Sequence, residues 1–363
     1  FTGVEILEYL EDYVAVSPQD DKNQPLGTLG DYTLRRQIGR GGMGVVYEAW
    51  ENSMDRRVAL KVLPPGIAAD DRSFQRFMRE ARIAGKLSHP NVVPVFATGI
   101  KDQTPYYAMD FIEGETLAQI LGRWTAAEPE LETVFGKKDR PGYFEKVAEA
   151  FAEVADGLQH AHSKRIIHRD IKPSNLILDH EGRLRILDFG LAHLEGQESL
   201  TASGDFLGTP PYMSPEQARR KKIPVDHRTD IYSLGATFYE VIAGRPPFQG
   251  KDHADTLSQI IERDPVEPRK LNPRVPKDLE TIVLKCLRKE AADRYGTAEA
   301  LAQDLRRFVR GDAIEARAVT RWERMLRRAT RCKRELIVGG VVLITVMTAA
   351  ILAVRLKQER EQA

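Results

Sequence analysis

The period of apolar positions changes several times along the chain, and each change marks an element. Residues 1–16 place Val4, Leu7, Leu10 and Val14 near helical spacing, which predicts a short amphipathic helix. Residues 17–30 are rich in Pro, Gly, Asp and Asn and read as a linker. From Tyr32 the pattern turns to short β-type runs. Tyr32–Ile38, Val45–Trp50 and Arg57–Val62 are separated by a glycine cluster and a polar turn, as in an antiparallel meander. Ser73–Leu87 has helical character, and Val92–Thr98 and Tyr106–Ile112 return to strand character. A small sheet with one helix is expected over residues 31–113.

After Gly114 the pattern is mostly helical. In Phe144–His162, Val147, Phe151, Val154, Ala155 and Leu158 form one stripe. Further helices are expected at Thr229–Ala243, Ala254–Ile261, Leu279–Cys286 and Ala298–Phe308, giving an α-rich unit over 114–310. The charged stretch 123–143, with two prolines and two glycines, reads as a solvated insertion loop. No internal repeat of fixed period is seen.

The last change of pattern is the sharpest. Residues 336–354 hold 19 residues and no charge. At about 1.5 Å per residue, that matches the hydrocarbon thickness of a bilayer. A core helix of that length would carry a polar face, so a transmembrane helix is the better reading. Arg317, Arg321, Arg324, Arg327, Arg328, Arg331, Lys333 and Arg334 precede it, while Arg355, Lys357 and Arg360 follow, mixed with two glutamates. The positive-inside rule then puts everything before the span in the cytoplasm and 355–363 at the start of an extracytoplasmic segment. The basic juxtamembrane stretch 311–335 includes Trp322, Met325 and Leu326 among its arginines and suits anionic headgroups.

Composition adds little. The chain has 363 residues, 42% hydrophobic and 29% charged, enough for a two-lobed domain plus extensions. Its 54 basic and 53 acidic residues nearly cancel, so charge does not argue for a nucleic-acid partner. Two cysteines, Cys286 and Cys332, without a CxxC pair argue against a zinc site or disulfide framework; Cys286 sits in an apolar helix and reads as a small core residue. No signal-peptide pattern is seen, and because the chain opens on Phe1 rather than Met, a trimmed or incomplete start is expected.

Gly39-Arg40-Gly41-Gly42-Met43-Gly44-Val45-Val46 fits GxGxxGxV. The glycines alone also suit dinucleotide-binding folds, but those need a helix directly after them. Here a β-branched run follows, giving a hairpin whose tip can approach phosphates. Lys61 ends the apolar run Val58-Ala59-Leu60 and needs an anionic partner, with Glu80 and nucleotide phosphates as the candidates. In Ile167-His168-Arg169-Asp170-Ile171-Lys172-Pro173-Ser174-Asn175, Asp170 can accept the proton of an attacking hydroxyl. Lys172 can meet a moving phosphoryl group, and Asn175 can hold magnesium. Ile186-Leu187-Asp188-Phe189-Gly190 offers Asp188 as a second metal ligand.

From about Tyr32 to Phe308 these motifs resemble the Hanks-type, or eukaryotic-like, protein kinase superfamily, in the style of its bacterial membrane-bound Ser/Thr members. Gly208-Thr209-Pro210-Pro211-Tyr212-Met213-Ser214-Pro215-Glu216, Asp230-Ile231-Tyr232-Ser233-Leu234-Gly235, Gly244-Arg245-Pro246-Pro247-Phe248 and Asp293-Arg294 strengthen the likeness. Ser214 stands where the family often has Ala. The resemblance implies an α+β, two-lobed kinase fold, here with one transmembrane helix added. It implies ATP and Mg2+, or Mn2+ in its place, as cofactors. It also implies a non-specific serine/threonine protein kinase acting on protein Ser/Thr hydroxyls in membrane-linked signalling.

The resemblance further implies roles for single residues. Ile38, Gly39, Arg40, Gly41, Gly42, Met43, Gly44 and Val46 would cover the nucleotide. Met109 falls at the gatekeeper position, and the backbone at Asp110 and Ile112 would meet adenine. Ala59 and Ile177 would sandwich the ring with Val46. Glu216 with Arg294 would pin the activation segment, and Asp230 would hold the catalytic-loop backbone. Arg169 would await a phosphate on Leu191–Phe206, with Ser199, Thr201 and Ser203 as candidates and Thr201 favoured; Thr209 is a further regulatory candidate. Lys172 and Thr209 suit Ser/Thr rather than tyrosine specificity. A homodimer would suit a membrane kinase that phosphorylates its own activation segment. Two alternatives stay open: an ATP-binding pseudokinase scaffold, and a membrane receptor whose sensor would continue beyond Ala363.

Overall fold

The computed structural model describes residues 25–41, 44–125, 132–133, 135–137, 141–189, 193–194, 210–219 and 225–316. The helix expected in 1–16, the span 336–354, its basic flank from 317 onward, and Cys332 lie outside the described residues, as do Gly42, Met43, Ser199, Thr201, Ser203 and Thr209.

The first lobe is a six-stranded antiparallel sheet. Its strands are β1 (Gly27–Leu29), β2 (Tyr32–Gly41), β3 (Gly44–Glu51), β4 (Arg56–Val62), β5 (Val95–Lys101) and β6 (Thr104–Asp110). Their spatial order is β1-β2-β3-β4-β6-β5. Alternation decides the faces. Leu29, Tyr32, Leu34, Tyr47, Ala49, Val58 and Leu60 close one core, while Ala59, Tyr107 and Met109 point to the other face and meet a helix there. The short α1 (Pro65–Ala68) leads to that helix, α2 (Asp71–Ala84). Asp70 caps α2, accepting from the Ser73 amide at 2.9 Å, which starts the helix two residues before the apolar pattern alone predicts.

Strand β1 corrects the linker reading of 17–30. Gly27–Leu29 pairs with Leu34–Tyr32, and Leu29 is buried. Three strand residues flanked by Gly27 and Gly30 give too short an alternation to stand out from turn residues.

The second lobe opens with β7 (Gly114–Thr116) and α3 (Leu117–Thr125), then the small hairpin β8 (Glu132–Thr133) and β9 (Gly136–Lys137). Its central helix is α4 (Tyr143–Ser163). Strand β10 (Ile166–Ile167), a 3-10 turn at Pro173–Asn175, β11 (Leu176–Asp179), β12 (Leu184–Ile186) and β13 (His193–Leu194) carry the catalytic-type motifs. Helices α5 (Pro215–Ala218), α6 (Arg228–Ala243), α7 (His253–Glu262), α8 (Pro268–Leu271), α9 (Lys277–Cys286) and α10 (Ala298–Arg310) complete the lobe. Helix α4 is buried along its length, from Tyr143 to Ala161, and stacks Phe151 on Phe238 of α6 at 4.3 Å. Cys286 is buried as expected.

The insertion 123–143 is more than a solvated loop. Its first residues complete α3, its last open α4, and Phe135 at the hairpin tip is buried in the lobe core. Trp124 meets the ring of Tyr143 edge-on at 6.2 Å. The charged neighbours of these three aromatics mask an apolar anchor that recurs about every ten residues, which neither helix nor strand period captures.

Candidate functional site

Strands β2 and β3 form the glycine hairpin. Gly39 pairs with Val46, Arg40 with Val45 and Gly41 with Gly44. The two described tip glycines have different reasons to lack a side chain. Gly44 has φ +131°, and a Cβ there would strike the Val62 carbonyl oxygen. At Gly41 a Cβ would meet nothing within 4 Å among the described residues, so its bareness serves open space rather than the fold. Ile38 is exposed just before the glycines.

The floor under the hairpin is apolar. Ala59 and Met109 are register partners across β4 and β6. With Val46, Phe111, Ile112 and Leu187 they form one cluster. Ile177 lies half-buried on β11 and is not among its side chains. The Asp110 amide donates to the Pro94 oxygen at 3.2 Å, so a ligand would meet its carbonyl rather than its N–H.

Two residues beyond Ala59 on β4, Lys61 is nearly buried and paired twice: Nζ lies 2.7 Å from Glu80 Oε1 and 3.0 Å from Asp188 Oδ1. Burial opposes its charge, but Asp188 and Glu80 outweigh that and hold its pKa above the ordinary lysine value. Burial pushes the Glu80 carboxyl upward, with the Lys61 charge pulling against it. The charge that the strand pattern left unexplained thus has its partner from α2, as expected.

The hairpin β11–β12 brings the two metal-ligand candidates together. Leu176 pairs with Ile186, and the Leu187 amide donates to the Asn175 oxygen at 2.8 Å, which sets Asn175 beside the stretch ending at Asp188. Asn175 Nδ2 donates to the Asp170 carbonyl at 2.8 Å and lies 3.2 Å from Asp170 Oδ2. Lys172 Nζ is 2.8 Å from the same Oδ2. Arg169 and Asp188 both have positive φ, at 65° and 48°. Such conformations persist in side-chain-bearing residues only where surrounding bonds impose them.

Those bonds are visible. Asp230, fully buried at the start of α6, accepts from the His168 amide at 2.9 Å, the Arg169 amide at 2.8 Å and His162 Nε2 at 2.8 Å. Burial pushes its carboxyl up, but the His162 bond and its neighbours prevail and hold it below the ordinary range. His168 receives the Asp170 amide on Nδ1 at 3.2 Å, so Nε2 carries the proton toward the Leu187 oxygen at 3.0 Å. Arg169 has its pKa lowered by burial, with Asp230 opposing and Arg79 adding to the fall; its buried Nε has no partner among the described residues.

Sequence reasoning missed Tyr107, His162 and Gln217. Tyr107 places its hydroxyl on Glu80, His162 holds Asp230, and Gln217 Nε2 donates to the Arg169 oxygen at 2.9 Å. The only signal for Tyr107 was a hydroxyl in an otherwise apolar run.

The donor set fits a nucleotide with a hard cation. Asp188 and Asn175 present oxygen, and a third of the Asp188 side chain is still exposed. Open space at Gly41 suits phosphates. The family model for the protein kinase domain matches residues 32–305. The chain belongs to the protein kinase domain family. Among curated relatives, this kinase domain is 35% identical over 291 residues to the serine/threonine-protein kinase PrkC of Bacillus subtilis, covering 80% of this chain and 42% of that protein. It is 35% identical over 290 residues to the serine/threonine-protein kinase PknB of Mycobacterium leprae, covering 78% and 44%. The matched region thus spans less than half the length of these relatives. Among solved structures, a mutant of the Mycobacterium tuberculosis PknI kinase domain aligns with TM-score 0.56 and 27% identity, over 81% of this chain and 98% of that one. The two-lobed kinase fold read from the motifs is therefore present.

Proposed function

We propose that this chain transfers the γ-phosphoryl group of Mg-ATP to serine or threonine hydroxyls of proteins. The observation that carries the reading is one constellation. Asp170, Lys172 and Asn175 lie in mutual contact, and a backbone bond links them to the Lys61–Glu80–Asp188 network. In that reading Asp170 orients the hydroxyl and accepts its proton. Lys172, already on Asp170 Oδ2, is placed to meet charge on the moving group. Lys61 leaves Asp188 for the α- and β-phosphates and keeps Glu80. Val46, Ala59, Met109 and Ile112 enclose adenine, with the Asp110 carbonyl and Ile112 backbone as its polar contacts and Ile177 reaching in from β11. Asn175 and Asp188 would hold Mg2+, which supplies neutralisation of phosphate charge when bound.

Regulation follows from Arg169. A cation whose Nε has no partner among the described residues, close enough to Arg79 for mutual repulsion, suits a phosphate on the segment 191–206. Autophosphorylation there, at Thr201 ahead of Ser199 and Ser203, is part of the proposal. So is a single span at 336–354 with the kinase domain on the cytoplasmic side, supported by the uncharged run and the arginine excess before it.

The deciding experiment gives the chain radiolabelled ATP and magnesium beside Lys61→Met and Asp170→Asn variants, and locates phosphate by mass spectrometry. Label on Ser or Thr with the wild type alone supports transfer. Mg-ATP binding without label would favour the scaffold reading.

A further inference from the structure

Tyr107 carries a hydroxyl into the sheet face that packs against α2. It is 1% exposed, and its ring lies 5.1 Å from that of Phe77 on α2. A buried hydroxyl without a partner is costly, and this one has two acidic partners. It donates to Glu80 Oε1 at 2.5 Å and lies 3.4 Å from Asp188 Oδ1. Glu80 Oε1 therefore receives two donors, Lys61 and Tyr107, while Oε2 has none among the described residues.

The groups facing Glu80 are Lys61 from β4, Tyr107 from β6 and Asp188 after β12. One lysine must balance two carboxylates. Burial favours the neutral acid at Glu80, the Lys61 charge opposes it, Asp188 adds to it, and the hydrogen bonds from Lys61 and Tyr107 oppose it. The Tyr107 bond is the one donor contact to Glu80 that no bound phosphate would compete for.

We infer that Tyr107 is a positioning residue: its hydroxyl ties Glu80, and with it helix α2, to the sheet independently of Lys61. The consequence for nucleotide binding rests on the function proposed above; the anchoring of α2 does not. When Lys61 turns to phosphates, Tyr107 keeps Glu80 ionised and in place, so the lysine keeps its counter-charge.

The test is Tyr107→Phe in the full chain, which keeps the ring against Phe77 and removes only the donor. Hydrogen exchange of the α2 amides, without nucleotide, is expected to quicken about tenfold while β4 and β6 amides stay unchanged. Loss of a donor to the carboxylate favours protonated Glu80. Mg-ATP affinity, titrated from acid to neutral pH, is therefore expected to fall off at a higher pH in the variant. Unchanged α2 exchange together with superimposable acid limbs would make Tyr107 a ring that fills space and overturn the inference. If the wild type binds no Mg-ATP, the nucleotide reading fails, and the exchange comparison alone still decides the role of Tyr107.

Discussion

Arg294 holds both carboxylate oxygens of Glu216, Nη1 to Oε1 and Nη2 to Oε2, each at 2.7 Å. Its remaining donors reach the oxygens of Arg288, Arg228 and Lys289, so every N–H of the buried guanidinium has a protein acceptor. A buried pair of this kind is expensive to break from one side, because the survivor stays charged and dry. Arg294→Ala is expected to cost about 3–5 kcal/mol in urea unfolding. Arg294→Lys, with one point charge in place of a fork, is expected to lose about half as much. The damage reaches the reaction centre: Gln217, next to Glu216, donates to the Arg169 oxygen. Phosphoryl transfer is expected to fall more than nucleotide affinity. Wild-type stability of Arg294→Ala would show that the pair is not holding these segments together.

The two tip glycines separate folding from binding. Gly44→Ala forces a side chain into φ +131° and against the Val62 carbonyl, at a cost of about 1–3 kcal/mol of stability. Gly41→Ala meets no atom of the described residues within 4 Å and is expected to melt as the wild type does. Its methyl group would instead occupy space proposed for phosphates, so nucleotide affinity is expected to drop. Melting curves and a Mg-ATP titration of both variants check this, and equal melting losses would refute the distinction.

Most of the site was legible because its chemistry depends on short runs. The catalytic-loop and Asp-Phe-Gly motifs carry their residues at fixed sequence spacing, and the structure brings them together through a hairpin that backbone register enforces. Lys61 was legible as a charge out of place on an apolar strand, and Glu80 as its answer. What escaped was side-chain chemistry whose meaning lies across the fold. Tyr107 lies 27 residues from Glu80 in sequence, and His162 lies 68 from Asp230. Nothing local distinguishes either from an ordinary aromatic in a strand or helix. Strand β1 and the Phe135 hairpin escaped for a different reason: each presents one or two apolar residues, too few to define a period.

Phe135 gives that point a measurement. It is 3% exposed, in a stretch whose composition reads as solvated loop. If the hairpin only decorates the surface, truncating Phe135 changes little. If its ring is part of the core that joins α3 and α4, Phe135→Ala is expected to cost about 3–5 kcal/mol. Lys146→Ala, at an exposed position of α4, serves as the surface control and is expected to shift stability by about 0.5 kcal/mol or less. Urea denaturation of the two variants separates the readings.

Asp230 makes the acid stability of the domain depend on one buried carboxylate. Two catalytic-loop amides and His162 converge on it, and its folded pKa lies below the ordinary value of about 3.8 despite complete burial. A carboxyl with a depressed folded pKa contributes stability above its unfolded value and loses it as pH falls through the folded value. Asp230→Asn replaces one accepting oxygen by an amide that faces donors, and is expected to cost about 2–3 kcal/mol at neutral pH. The gap between wild type and variant is expected to stay constant from neutral pH down to about 4, and to narrow only below the ordinary value near 3.8. Urea midpoints of both proteins from pH 7 to pH 3 check it. A gap that does not narrow would mean that geometry alone, and not the charge on Asp230, holds His168 and Arg169. The same substitution loosens the backbone that sets Asp170. Phosphoryl transfer is thus expected to fall at every pH, in step with the loss of the anchor rather than with the titration.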